Sequence, residues 1–307
     1  MNDVVVVGSV NMDLVARAPR LPAPGETISG GEFATIPGGK GANQAVASVR
    51  LGTRTAFLGC LGQDVFGEQL AEGLRRNGVD CQGLRIRPGP TGVALIIVDG
   101  AGRNGIVLAP GANALLRPDD VDGSEALLAG ARVLVAQLEV PLATVAHAVR
   151  RAREMGKVVV LNPAPAQPLP QEMLKAVDYL VPNEIEAEML SGVNVGSVED
   201  AIAAGRRLRE LGARNVIITM GARGAVAVTA QGADHHPAPT VTPVDTTAAG
   251  DTFIGGMCVG LVEGRPLDQA IQFAQAAAAI SVTRFGAQPS IPHRSDMPAE
   301  WGRRPRE

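Results

Sequence analysis

An aspartate beside a glycine at the start of an apolar helix can serve phosphoryl chemistry. The run Asp245-Thr246-Thr247-Ala248-Ala249-Gly250-Asp251 leads into Thr252-Phe253-Ile254 in this way. Small residues at Ala248, Ala249 and Gly250 leave the first amide N–H groups of the helix open, and with the helix dipole these form an anion hole. A carboxylate at Asp251 can then accept the proton of an attacking hydroxyl while the neighbouring amides hold the charge growing on a transferred group. The simpler reading is that Asp251 only complements the helix dipole.

Four other segments carry candidate chemistry. Gly38-Gly39-Lys40-Gly41-Ala42-Asn43 lets the backbone approach a ligand closely and supplies Lys40 and Asn43 as donors near a helix start. It is not a Walker A loop, because Ala34 stands at the first glycine position and Gly41 at the hydroxyl position. Gly8-Ser9-Val10-Asn11-Met12-Asp13 lacks the glycine spacing of a dinucleotide-binding turn. Its Asn11 and Asp13 either offer an amide and a carboxylate to the hydroxyls of a polyol or form an Asx turn. Pro182-Asn183-Glu184-Ile185-Glu186 opens a helix with capping-box spacing, and Asn183 and Glu186 could also orient Mg²⁺-bound waters and nucleotide phosphates. Thr219-Met220-Gly221-Ala222-Arg223-Gly224 suits a turn hugging nucleotide phosphates or a plain strand-to-strand turn, with Arg223 ambiguous. Glu139 follows an apolar strand, where α/β sheets place ligand contacts and where solvated glutamates are also common. His235-His236 has no third metal ligand at suitable spacing, and no Gly-x-Ser-x-Gly elbow is present.

The elements that must position these residues alternate. Apolar runs at Val4 to Val7, Val133 to Leu138, Val158 to Leu161 and Val216 to Thr219 read as strands buried on both faces. Helical spacing recurs at Ala42 to Leu51, Phe66 to Asn77, Leu142 to Met155, Val198 to Leu211 and Thr252 to Glu263. The pattern predicts an α/β fold with a mostly parallel central sheet and helices on both faces. Leu14 to Ile36 and Thr91 to Leu108 break the rhythm with alternating apolar residues and turns. They are expected to pair as a small β lid over the carboxyl edge of the sheet, within a single domain over residues 1–293. Residues 294–307 read as a polar, proline-bearing tail with frayed order, and it carries the only tryptophan, Trp301.

Composition narrows the function. With 28 basic and 31 acidic residues the net charge is −3, and aromatic residues are 3%, so neither a polyanion nor stacked nucleobases are favoured as partners. Cys60, Cys81 and Cys258 are an odd number without a close pair, as expected of reduced thiols. No signal peptide and no run long enough to cross a bilayer is apparent, so no membrane association and a cytoplasmic location are expected.

Gly38 to Asn43, Asn183 to Glu186 and Asp245 to Asp251, in this order, resemble the signatures of the ribokinase-like (PfkB) carbohydrate kinase family, from about Val4 to His293. Gly-Gly-Lys-Gly-Ala-Asn-Gln-Ala lies nearer the ribose-phosphorylating branch than the fructose or adenosine branches. The resemblance implies ATP-dependent phosphorylation of the 5-hydroxyl of D-ribose or a related pentose. Asp251 would be the base, with Ala249 and Gly250 as anion hole. Asn11, Asp13, Gly39, Lys40, Gly41, Asn43 and Glu139 would surround the sugar. Asn183, Thr219, Gly221, Ala222, Arg223, Gly224, Gly250 and Gln275 would face ATP, with Glu186 acting through Mg²⁺. It further implies a K⁺ site at Asp245, Thr247, Ser281, Arg284, Gly286 and Ser290, several through backbone carbonyls. The exposed edges of the lid strands suggest a homodimer. A sibling kinase for a nucleoside, deoxyribose or keto-sugar, and a silent sugar-binding regulator, are the alternatives.

Overall fold

Four consecutive β-branched residues have no polar face to offer to water, and Val4–Val7 (β1) are accordingly 0–1% exposed at the middle of the main sheet. Their side chains alternate: Val5 and Val7 enter one core, Val4 and Val6 the other. The computed structural model describes residues 2–101 and 103–302. Its further strands are β2 (Asn11–Arg17), β3 (Phe33–Gly38), β4 (Thr55–Gly62), β5 (Asp80–Arg87), β6 (Gly92–Val98), β7 (Asn104–Ala109), β8 (Val133–Ala136), β9 (Val158–Leu161), β10 (Tyr179–Leu180), β11 (Asn215–Thr219), β12 (Ala225–Val228) and β13 (Ala233–His236).

The main sheet has the order β13-β12-β11-β10-β9-β8-β1-β4-β5, parallel from β11 to β5, with β12 and β13 antiparallel at one edge. This is the α/β architecture that the alternating pattern predicts. Register aligns the strand ends: Val7 pairs with both Leu58 and Ala136, and Ala136 with Leu161. The residues immediately beyond, Gly8, Gln137 and Asn162, therefore sit side by side at the carboxyl edge.

A second sheet of order β3-β2-β6-β7 is fed from that edge. Its inner pair, β2 and β6, is parallel, while β2–β3 and β6–β7 are antiparallel. Strand β2 begins at Asn11, so Asn11 and Asp13 belong to the second sheet rather than to a turn after β1. Strands β4 and β5 have no counterpart in the sequence reading. Glycines interrupt β4, and β5 mixes charged and apolar residues because it is the sheet edge.

The helix Lys40–Leu51 lies against the helix Ala249–Val262. The two approach so closely that a Cβ on Gly255 would be 2.4 Å from that of Ala47. This contact carries Asn43 and Gln44 to the start of the second helix.

The expected fraying of the tail does not extend through the described part of it. Arg294–Asp296 and Ala299–Gly302 form short helical turns. Trp301 packs edge-on against Phe273 with ring centroids 5.9 Å apart, and the Arg265 guanidinium lies over its ring. An aromatic ring with a partner at hand overrides a polar local sequence. Residues 303–307 lie outside the described residues.

Candidate active site

The glycine run after β3 allows a sharp entry into the Lys40–Leu51 helix. Gly39 has φ 89°, and a Cβ there would be 2.6 Å from the Asn11 backbone nitrogen. The backbone thus rests directly on β2, placing Lys40 beside Asn11 and Asp13. The carboxylate of Glu139 accepts the Lys40 N–H at 3.2 Å and the Ser9 hydroxyl, so it is held rather than solvated. Asn113 donates Nδ2 to Asn11 Oδ1 at 2.7 Å, which leaves the Asn11 NH₂ as the group available to a ligand.

Charge is concentrated here. Burial, reinforced by Glu139 and Asp251 and opposed by Lys40, raises the Asp13 carboxyl from 3.8 to about 7. Burial disfavours the Lys40 ammonium, but Asp251, Glu139, Glu186 and Asp13 together outweigh it and hold the amine above its ordinary value. Burial also pushes Glu186 up, against hydrogen bonding by the Asn183 backbone and the charge of Lys40. The arrangement is one half-buried cation among four carboxylates, suited to a ligand that brings hydroxyls.

Asp251 is 8% exposed and accepts hydrogen bonds from Asn43 Nδ2 and Gln44 Nε2, each at 2.9 Å. Ala248, which precedes the helix, is the one described non-glycine residue with positive φ, at 59°, and its side chain caps nothing. The Ala249 N–H turns to the Thr246 carbonyl at 3.2 Å. The N–H groups of Gly250 and Asp251 have no partner among the described residues, and the space at Gly250 is open. Of the two amides expected to hold an anion, Gly250 is free and Ala249 is engaged; Asp251 supplies the second free one.

Beyond this helix start lie the remaining segments. Asn183 caps the Glu184–Ser191 helix in a complete capping box, with Glu186 accepting from the Asn183 N–H at 2.9 Å and from Asn183 Nδ2 at 3.0 Å. Asn183 bridges to Thr219, so the two segments meet. Gly221–Arg223 form an exposed turn closed by a hydrogen bond from Met220 N to Gly224 O at 2.8 Å. The Arg223 guanidinium is engaged by Glu184 and the Gly196 carbonyl. Gln275 donates Nε2 to the His236 carbonyl at 2.7 Å, and a Cβ on Gly224 would be 2.0 Å from that same carbonyl, so Gln275 borders the turn.

Residues 1–294 match the pfkB family carbohydrate kinases. The chain belongs to that family. This kinase is 45% identical to the ribokinase of Haemophilus influenzae over 293 residues, covering 95% of each chain. The ribokinase structure from Thermotoga maritima superposes with a TM-score of 0.89 at 40% identity, covering 96% of this chain and 98% of that one. That of Arabidopsis thaliana ribokinase complexed with ribose and ATP does so with a TM-score of 0.88 at 33% identity, covering 96% of both chains.

In the kinase, Asp245 Oδ1 accepts from Thr247 N at 2.9 Å and Thr247 Oγ1 at 2.6 Å, and Oδ2 accepts from Gly286 N at 2.9 Å. Burial works against the Asp245 charge, but these bonds and the charge of Arg17 prevail and keep the carboxyl below its ordinary value. The side chains of the other expected cation residues point elsewhere. The hydroxyls of Ser281 and Ser290 bond to the carbonyls of Ala278 and Ala287, and Arg284 pairs with Asp296, so only backbone carbonyls of these three could face a cation. No cluster of three or more His, Cys, Asp or Glu suited to a metal occurs among the described residues, and no described helix is long and apolar enough to cross a membrane.

Several contributors carry little local signal. Gln44 is distinguishable only by standing next to Asn43. Asn113, Gln137 and Asn162 are single amides distant in sequence, brought in by strand register and by the turn at Gly111–Leu115.

Proposed function

We propose that this carbohydrate kinase transfers the γ-phosphoryl group of ATP to the 5-hydroxyl of D-ribose, with Asp251 as the base. The observation that carries the reading is the Asp251 carboxylate, buried beside two unpartnered helix amides and hydrogen-bonded to the Lys40–Leu51 helix, whose start lies against Asn11.

The sugar would lie over Gly39 and Gly41, between β2 and the Lys40–Leu51 helix. Asn11 donates from its NH₂, Asp13 and Glu139 accept from hydroxyls, and Lys40 and Asn43 complete the grip. Asp251 takes the proton of the 5-hydroxyl as its oxygen attacks the γ-phosphorus; the bond from that phosphorus to the β–γ bridging oxygen breaks, and the electron pair leaves with ADP. The Gly250 and Asp251 amides face the charge on the transferred group, with Ala249 shaping the turn. Asn183, Thr219, Gly221, Ala222, Gly224 and Gln275 border the nucleotide, and Arg223 braces the turn against Glu184.

Glu186 fits Mg²⁺ through bound waters, because both its oxygens already accept hydrogen bonds from Asn183. When bound, Mg²⁺ would neutralise phosphate charge. The anionic Asp245 carboxylate, with carbonyls of Thr247, Ser281, Arg284, Gly286 and Ser290, fits K⁺, which would fix the loop preceding the anion hole. The second sheet acts as a lid that excludes water. Its exposed Phe33, Leu95 and Val107, which share one face of the sheet, would pair with a second copy as a homodimer.

The test is Asp251→Asn. Ribose affinity by calorimetry should stay within a few-fold while coupled ADP release with ribose disappears; near-parental turnover would refute the base. A panel of ribose, 2-deoxyribose, fructose and adenosine in the same assay decides the substrate.

A further inference from the structure

Each oxygen of Asp251 accepts from a neutral amide, Oδ2 from Asn43 and Oδ1 from Gln44. Asn43 belongs to the sugar side of the site. Gln44 does not: it is 0% exposed and anchored from behind by residues at two strand ends. Gln137, just past β8, donates Nε2 to Gln44 Oε1. Gln44 Nε2 also reaches Oδ1 of Asn162, just past β9, at 3.3 Å, and Asn162 Nδ2 is tied to the Val181 carbonyl at 2.9 Å.

The direction of this chain is imposed from the Asp251 end. An ionised carboxylate only accepts, so Gln44 must present its NH₂ to it and its carbonyl to Gln137. Gln137 must then present its NH₂ in turn, and its Oε1 is left buried without a partner among the described residues. That oxygen lies where β1 ends in a residue without a side chain: a Cβ on Gly8 would be 2.0 Å from it. An orphaned buried acceptor is unfavourable, and a network whose only purpose was packing would not require one.

We propose that Gln44, braced by Gln137 and Asn162, is a positioning residue that fixes the orientation of the Asp251 carboxylate toward the sugar hydroxyl. This rests on Asp251 being the base. The charged groups facing Asp251 are Lys40 on the same helix as Gln44, Asp13 on β2 and Glu186 on the Glu184–Ser191 helix.

The experiment measures kcat together with the KM for ribose and for ATP, for Gln44→Met, Gln137→Met and Asp251→Asn. Gln44→Met should lower kcat by about 10–100-fold, with KM within about threefold, because a misplaced reacting group affects turnover more than binding. Gln137→Met, which does not touch Asp251, should lower kcat by a smaller amount, again with little change in KM. An inactive Asp251→Asn with parental kcat in Gln44→Met overturns the positioning role alone, as does a raised ribose KM at parental kcat. Turnover in Asp251→Asn overturns the base and this role with it. Should Gln44→Met fail to fold, Gln137→Met decides: parental kcat there refutes the proposal.

Discussion

Replacing Asp13 by asparagine should stabilise the ligand-free protein at alkaline pH while destroying its use of sugar. Burial first, then the charges of Glu139 and Asp251, raise this carboxyl from 3.8 to about 7 despite Lys40. The folded chain therefore binds the proton more tightly than the unfolded one. The contribution to stability is complete below the unfolded value of 3.8 and is lost as pH rises through about 7. At about 1.4 kcal/mol per tenfold difference in proton affinity, the full separation amounts to roughly 4 kcal/mol, of which about 2–3 kcal/mol falls between pH 5 and pH 8. Asparagine keeps the shape and does not titrate. Urea unfolding without ligand should thus show the variant gaining about 2–3 kcal/mol on the parent across that interval. In the same buffers the parent's kcat/KM for ribose should fall about tenfold per pH unit below pH 7, and the variant's should be low throughout. Parallel stability curves for the two proteins would refute the reasoning.

Two glycines should respond oppositely to alanine. In Gly41→Ala the Cβ would be 2.7–2.8 Å from backbone atoms of Ser9 and Gly8, which cannot yield, so unfolding should be easier by about 1–3 kcal/mol. In Gly250→Ala nothing lies within 4 Å, so stability should change by less than about 0.5 kcal/mol while kcat drops at least about tenfold, the methyl group crowding the free amides; equal effects on stability would count against the packing argument. Exchanging K⁺ for Na⁺ should lower kcat, and indifference would remove the cation site. Light scattering should give twice the mass of one chain at assay concentrations, and a monomer would exclude pairing through the lid.

Most of the main sheet is legible in the sequence because a strand buried on both faces has no choice but a continuous apolar run, as at Val4–Val7 and Val158–Leu161. Edge strands such as β5 escape that rule, since one side meets water. Asp251 and the residues around Lys40 are legible because their backbone requirements, small residues before a helix, are local. Asn113 and Gln137 are not, because each acts through a partner about 100 residues away, and it takes the turn at Gly111–Leu115 for one and strand register for the other to bring them there. The tail misleads for a similar reason: Trp301 gains its order from Phe273 and Arg265, not from its neighbours in sequence.

Only Gly8-Ser9-Val10 separates β1 from β2, and Gly39 alone separates β3 from the Lys40–Leu51 helix. Asn11 and Asp13 consequently belong to the second sheet itself rather than to the main one. With that sheet as the proposed lid, a tilt that admits water would also withdraw both residues from the sugar, so that escape of the phosphorylated product and re-wetting of the cleft would be one movement.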